Sequence, residues 1–167
     1  MSQQSAAMSS SPTKADGGIR WPFEGFAARH QDALLLFGRI VLGVIFVNSG
    51  WHKLHALDAF AANLAGKGVP LVSIFAPLGA GVEFFGGLAV VLGLASRASG
   101  LLMVSFVIVA TATSHRFWEF EGALRVAQEI NFDKNICIIG GFIMLFAAGA
   151  GRFSLDGLLR AVATKQH

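Results

Sequence analysis

Four long apolar stretches dominate this sequence and constrain its fold more than any other feature. They cover about residues 33–50, 71–94, 99–113 and 135–150, and each is near the roughly 20 residues needed to cross a hydrocarbon core of about 30 Å. Charged residues make up only 14% of the chain and the mean hydropathy is +0.61, which leaves too few charges to cover a water-facing surface. The sequence therefore predicts an all-α integral membrane protein, a four-helix bundle.

The remaining segments divide the chain around this bundle. Residues 1–18 are polar and predict a disordered tail without the apolar core of a signal peptide. Residues 19–32 interleave aromatics with charges and predict an interfacial segment, 33–156 form the transmembrane domain, and 157–167 form a C-terminal tail. Within the domain, both longer loops (57–64 and 115–132) place apolar residues at helical spacing, so each predicts a short interfacial helix. The link between the second and third spans, "ASRAS", predicts a tight turn between antiparallel neighbours.

Lysine and arginine counts indicate an orientation. Seven of them lie in the N-tail, the short turn and the C-tail, against five in the two longer loops. Cytoplasmic segments carry the excess of such residues in membrane proteins, so we expect both termini in the cytoplasm. The net charge of +3 is spread between spans rather than clustered, which predicts lipid contact and no nucleic-acid partner.

Glu83 is the only charged residue between Val69 and Ser96. A charge at mid-bilayer costs about 2.5–3.5 kcal/mol on insertion scales, so it should face a partner or water. Gly79, Gly86 and Gly87 share its helix face, and small residues at this spacing are typical of surfaces where membrane helices pack closely. The pattern predicts that Glu83 points into the bundle.

Arg39 lies on a similar small-residue face, with Gly43 and Gly50 following it. Counted from the ends of the spans, Arg39 and Glu83 differ in depth by roughly 7 Å at 1.5 Å per residue, a distance that an arginine side chain can cover. We therefore predict an Arg39–Glu83 ion pair, with either a structural or a functional role.

Further polar residues collect at the loop side of the bundle, and we predict that they line a cavity with Glu83 at its floor. The candidate ligand-binding residues, with Arg39, are Asn48, His52, Lys53, Lys134 and Asn135. Glu83 and His115 are the candidate catalytic residues, since both can exchange a proton. His52 and His55 are spaced for a metal, but no third ligand follows, so we predict no metal site. The single cysteine, Cys137, reads as a small core residue.

Several segments together resemble the DoxX family of small bacterial membrane proteins. They are "GRIVLGVIFVNSGWHKL" (38–54), "GAGVEFFGGLAVVLGLASR" (79–97), "HRFW" (115–118) and "FDKNICIIGGFIMLFAAGAGRFSLD" (132–156). The resemblance implies a four-helix bundle in the plasma membrane. The family is named for a subunit associated with a quinol oxidase and a thiosulfate:quinone oxidoreductase, and other members are linked to thiol and oxidative-stress complexes.

Three functions are compatible with these features. The first is a redox-associated subunit that binds a quinone or similar lipophilic molecule. Any electron transfer would need that quinone or a partner subunit, and the expected protein partner is such a subunit or a second copy in a homodimer. The second is a non-catalytic scaffold for a thiol or oxidative-stress redox complex. The third is a small proton-coupled transporter, although four spans show no inverted repeat.

Overall fold

The computed structural model describes residues 23–165, and its regular structure there is helical. In chain order the helices are α1 (Glu24–His55), α2 (Leu57–Gly66), α3 (Val72–Leu92), α4 (Ser96–Ser114), α5 (Gly122–Ala148) and α6 (Leu155–Thr164), with a 3-10 turn at Phe117–Glu119. The tail predicted over residues 1–18 lies outside the described residues. The direction of the chain alternates through α1, α3, α4 and α5, so the described ends lie on one side of the bundle, here named the terminal side, and the two longer loops lie on the other, the loop side.

Four of these helices are long and apolar enough to cross a membrane: α1, α3, α4 with the turn that follows it, and α5. Many of their large apolar side chains are exposed, for example Phe37, Val109 and Met144. Such a surface is unfavourable in water but suits contact with lipid tails. The prediction of a helical membrane bundle is confirmed.

Glycines set the contact between α1 and α3. A Cβ atom on Gly50 would lie 2.5 Å from the backbone nitrogen of Phe84, and one on Gly43 would lie 2.9 Å from the carbonyl oxygen of Gly87. Any side chain at these positions would collide with backbone, so the two helices approach as closely as glycine allows. This contact fixes which residue of α1 faces which residue of α3.

The core of the bundle lies between α1, α3, α4 and α5. It consists of the buried side chains of Phe46, Val90, Met103, Val107, Phe142 and Leu145. Gly86 of α3 admits the Met103 side chain, whose sulfur would lie 2.5 Å from a Cβ atom there. Lipid tails are as apolar as the core itself, so moving an apolar side chain from lipid into the core gains little. Close packing between the helices is therefore what stabilises a membrane bundle.

The membrane helices are longer than their apolar stretches. The segment predicted to be interfacial (19–32) is helical from Glu24 as the first turns of α1, and 19–22 lie outside the described residues. In the second loop the helical spacing of 115–132 belongs to the 3-10 turn and the start of α5. At 32 residues, α1 is about 48 Å long, so its first turns extend beyond a 30 Å hydrocarbon core. The predicted helix in the first loop is α2.

Hydrogen bonds join the terminal ends of the helices. Asp156 accepts from the backbone nitrogens of Ala95 and Ser96, both at 2.8 Å, and from the Ser96 hydroxyl at 2.6 Å. Ala95 has a φ of 45°, a left-handed conformation that costs a non-glycine residue about 1–2 kcal/mol, which these bonds help to offset. Burial raises the pKa of Asp156, but the bonds from Ser96 and Ala95 and the charge of Arg160 outweigh it, so the net shift is downward.

Most of the segment predicted as a C-terminal tail (157–167) belongs to helix α6, which ends at Thr164, and 166–167 lie outside the described residues. Its side chains at Leu155, Leu158, Leu159 and Val162 are exposed, and Ser154 begins the helix by accepting from the Gly157 nitrogen at 3.0 Å. Exposed apolar residues on one face of a short helix beside the membrane suit the lipid interface. The expected tail is therefore an amphipathic helix.

We predict that Gly50→Ala destabilises the protein. The control is Gly81→Ala on α3, which should not destabilise it, because no atom lies within 4 Å of the added carbon. Forcing a methyl group against the Phe84 backbone is overpacking, which costs about 1–3 kcal/mol. Thermal unfolding of both variants in detergent measures the difference. Equal unfolding temperatures would show that the close contact between α1 and α3 carries no such constraint.

Candidate functional site

A cavity of about 660 Å³ opens at the loop side between α1, α2, α4 and α5. The part of the cavity deeper in the bundle is apolar and is formed by side chains such as Ile45, Phe106 and Ile138. Lysine, histidine, asparagine and serine side chains line the part nearer the loop side. Concave sites with an apolar body and a few converging polar groups are typical of ligand-binding pockets. The cavity is therefore the candidate site.

An ion pair lies in the wall of the cavity. The ammonium nitrogen of Lys53 lies 2.5 Å from Glu83 Oε2. The Glu83 side chain is 6% exposed and that of Lys53 is 32% exposed, so the carboxylate is buried and the ammonium reaches toward the cavity. The Lys53 nitrogen also lies 5.1 Å from the centre of the Phe60 ring, a cation–π contact. Glu83 does point into the bundle, as predicted, and Lys53 is its partner.

The predicted Arg39–Glu83 pair is wrong. Arg39 is buried at the terminal side, where its guanidinium donates to the carbonyl oxygens of Val91 at 3.1 Å and Phe153 at 2.5 Å. The last carbonyls of a helix lack partners within the helix and attract cations, and Val91 lies in the last turn of α3. Arg39 therefore joins α1, α3 and the C-terminal segment, and it does not line the cavity.

Most of the other predicted ligand-binding residues do meet at the cavity. His52, Lys53, Lys134 and Asn135 line it, together with the predicted catalytic pair Glu83 and His115. Asn48 does not, because it lies on an exposed face of α1 outside the cavity lining. Cys137, predicted to be a core residue, is exposed on α5. The chemical roles assigned to these residues stay predictions.

Hydrogen bonds orient two of the cavity residues. His115 Nδ1 lies 2.8 Å from the amide oxygen of Gln128, which only accepts. In this contact the ring nitrogen donates and the amide oxygen accepts, which holds the imidazole in one orientation. Asn135 donates to Thr111 Oγ1 at 2.8 Å, and Thr111 donates to the Val107 carbonyl. Hydrogen bonds to neighbouring side chains therefore hold both His115 and Asn135 in place.

Sequence reasoning missed one of the three lysines in the cavity. Lys67, just after α2, donates to Ser114 Oγ at 3.1 Å, and its own carbonyl accepts from Arg116 at 3.1 Å. Burial lowers the pKa of Lys67, and the positive charges of Lys53 and Arg116 lower it further. The signal in the sequence is weak, because "GKGVP" reads only as a helix breaker, and the fold of α2 brings Lys67 back over the cavity.

The polar lining is rich in hydrogen-bond donors. Lysines 53, 67 and 134 and the Asn135 amide donate, and Glu83 is the carboxylate among the lining residues. Among residues 23–165, no group of three or more His, Cys, Asp or Glu side chains comes together as metal ligands. The lining suits a molecule with acceptor oxygens, and the Glu83 carboxylate can receive one proton.

Comparison with known proteins agrees with this architecture. The DoxX family model matches residues 34–116. The chain belongs to the DoxX family. It is 31% identical to the inner membrane protein YphA of Escherichia coli over 80% of the chain and 94% of that protein, and 31% identical to the inner membrane protein YqjF of the same organism over 77% and 94%. It is 30% identical to the uncharacterized membrane protein Rv3486 of Mycobacterium tuberculosis over 75% and 81%.

No solved structure gives a significant match to this DoxX-family chain. The relatives are inner membrane proteins, which agrees with the predicted membrane location. The matched residues 34–116 include Lys53, Glu83 and His115 but end before α5. The Lys134 and Asn135 side of the cavity therefore lies beyond the family match.

We predict that Lys53→Met destabilises this DoxX protein more than the double change Lys53→Met with Glu83→Gln. The single change leaves a buried carboxylate without its partner, which costs about 3–5 kcal/mol for a fully buried pair and less here, because Lys53 is partly exposed. The double change removes that charge. A double-mutant cycle of thermal unfolding measures the coupling, and additive losses would contradict the pairing.

Proposed function

We propose that the protein is a redox-associated inner-membrane subunit that binds a quinone or similar lipophilic molecule in the loop-side cavity. The observation that supports this most is the cavity's composition, an apolar body beneath a ring of donors with one buried carboxylate. A quinone ring is flat and apolar, and its carbonyl oxygens only accept hydrogen bonds. The lining residues match both properties.

Under this proposal, different residues contact the ring and the oxygen atoms of the ligand. Phe46, Phe106 and Val107 would contact the ring, since all three line the apolar part of the cavity. Lys67 and Asn135 would donate to the acceptor oxygens. A bound quinone would supply the two-electron chemistry that none of these side chains provides.

Glu83 is the proposed proton acceptor. Its carboxylate lines the cavity and accepts a hydrogen bond from Lys53. A charged carboxylate can take a proton from a ligand hydroxyl, and the Nε2 atom of His115 could pass it toward the mouth. The electrons released with those protons would have to pass to a redox partner subunit, which is the partner that the proposal requires.

The orientation of the protein in the membrane follows from charge. The terminal side carries the larger number of lysines and arginines in the sequence, so we place it in the cytoplasm. The cavity then opens toward the periplasm, and any soluble partner would approach it there.

We predict that Glu83→Gln abolishes function without abolishing ligand binding. The amide fills the same volume but cannot exchange a proton, and a lost general base costs about 100-fold or more in rate. His115→Gln should show a smaller loss, because it lies nearer the mouth, where water can replace it. The measurements are quinone extracted from the purified protein and rescue of a deletion strain by each variant.

The same experiment separates the proposal from its alternatives. If neither the wild type nor the folded Glu83→Gln protein carries quinone after purification, the proposal of quinone binding is contradicted. Full rescue by Glu83→Gln would favour a scaffold role instead, since a scaffold needs the fold and not the proton.

We predict that reporters fused after residue 167 are active only in the cytoplasm, because positively charged flanks are retained there. Paired fusions of a cytoplasmic and a periplasmic reporter at the C-terminus measure the orientation. Activity of the periplasmic reporter alone would place the cavity on the cytoplasmic side.

A further inference from the structure

An apolar groove of about 370 Å³ runs along the bundle beside the loop-side cavity. Its walls are α3 and α4, and α2 covers its upper end. The side chains that define it are Phe75, Leu78, Gly79, Leu102, Ser105 and Val109. Leu78 is 56% exposed and Val109 is 61% exposed, so the groove opens toward lipid rather than toward the core.

The groove and the cavity adjoin each other. Lys53, Phe60, Phe106, Ala110 and Ser114 line both. A molecule whose polar group contacts Lys53 or Ser114 could therefore lay an apolar chain along the groove. On α4 the groove follows the helix from Leu102 to Ser114, about 18 Å at 1.5 Å per residue.

The groove exists because α3 and α4 are in close contact at one end only. At Gly86, toward the terminal side, a Cβ atom would lie 2.5 Å from the Met103 sulfur. Two turns nearer the loop side, at Gly79, the nearest atom would be Phe60 Cε1 at 4.0 Å. Pro77, which has no N–H to donate within α3, lies at the same level. The helices therefore leave room between them beside the cavity.

We infer that this groove holds the single apolar tail of the lipophilic molecule whose polar head occupies the cavity, and that the molecule enters sideways from the bilayer between α3 and α4. This inference rests on the proposed function. The polar residues shared with the cavity select this occupant over a passing lipid, since Lys53 and Ser114 line the groove as well as the cavity. A second protein is disfavoured as the occupant, because small residues in the lining make the groove a narrow recess between two helices.

The test compares two groove-filling variants with a matched control. Gly79→Leu places a side chain into the groove from α3, and Ser105→Leu does so from α4, where the hydroxyl donates only within its own helix, to Leu101. Gly81→Leu makes the same chemical change on α3 at a position outside the groove, with no atom within 4 Å of the added Cβ. All three are full-length proteins in lipid nanodiscs.

Two probes share one headgroup, a dimethoxy-methyl-benzoquinone, with and without a decyl tail. The tail raises partition into the bilayer equally for every variant, so only the difference between variants reports the groove. Gly79→Leu and Ser105→Leu should weaken binding of the tailed probe about tenfold, the effect of losing roughly ten heavy-atom contacts. They should leave the tail-free probe unchanged, and Gly81→Leu should change neither.

Each other outcome overturns the inference. If both probes bind the wild type and Gly79→Leu and Ser105→Leu leave both affinities intact, the groove holds no tail, while quinone binding in the cavity stands. Equal loss of both probes would show that the variants disturb the cavity and not a tail. Failure of both probes to bind the wild type would overturn the inference together with the proposed function.

Discussion

The backbone contact between α1 and α3 sets the positions of the other polar groups in this protein. Gly50 lies against Phe84, and Gly43 lies against Gly87, at distances that exclude any side chain. Because the helices are antiparallel, moving toward the loop side on α1 means moving backward along α3. Lys53 then faces Glu83, and the ion pair in the cavity wall is a consequence of that register.

The two sides of the bundle use their polar groups differently. On the terminal side, Arg39 and Asp156 bond to backbone at helix ends, which satisfies groups that a helix cannot satisfy itself. On the loop side, Lys53, Lys67 and His115 converge on open space. Polar groups that bond to backbone hold a structure together, whereas groups that face a cavity are available to a ligand. This contrast is the physical basis for placing the candidate site on the loop side.

Glu83 connects the structural and the proposed functional roles. A buried carboxylate needs a partner, and Lys53 supplies it while remaining partly exposed to the cavity. The pair therefore places a carboxylate beside apolar walls, where a lipophilic molecule could reach it. A purely structural pair would need no cavity beside it, and that cavity, with its apolar groove between α3 and α4, is what the proposals rest on.

The sequence by itself determined the membrane class, the four spanning helices and the burial of Glu83, because these follow from hydropathy, length and the spacing of small residues. It also identified six of the polar residues that line the cavity, since polar side chains at the loop ends of apolar helices have few other places to lie. Only the tertiary structure decided their partners. Arg39 and Lys53 both share a helix face with glycines, and the register of α1 against α3 assigned Arg39 to the end of α3 and Lys53 to Glu83. The lining of the cavity was decided in the same way. The return of α2 over the cavity brings Lys67 into the lining, whereas the rotation of α1 leaves Asn48 outside it.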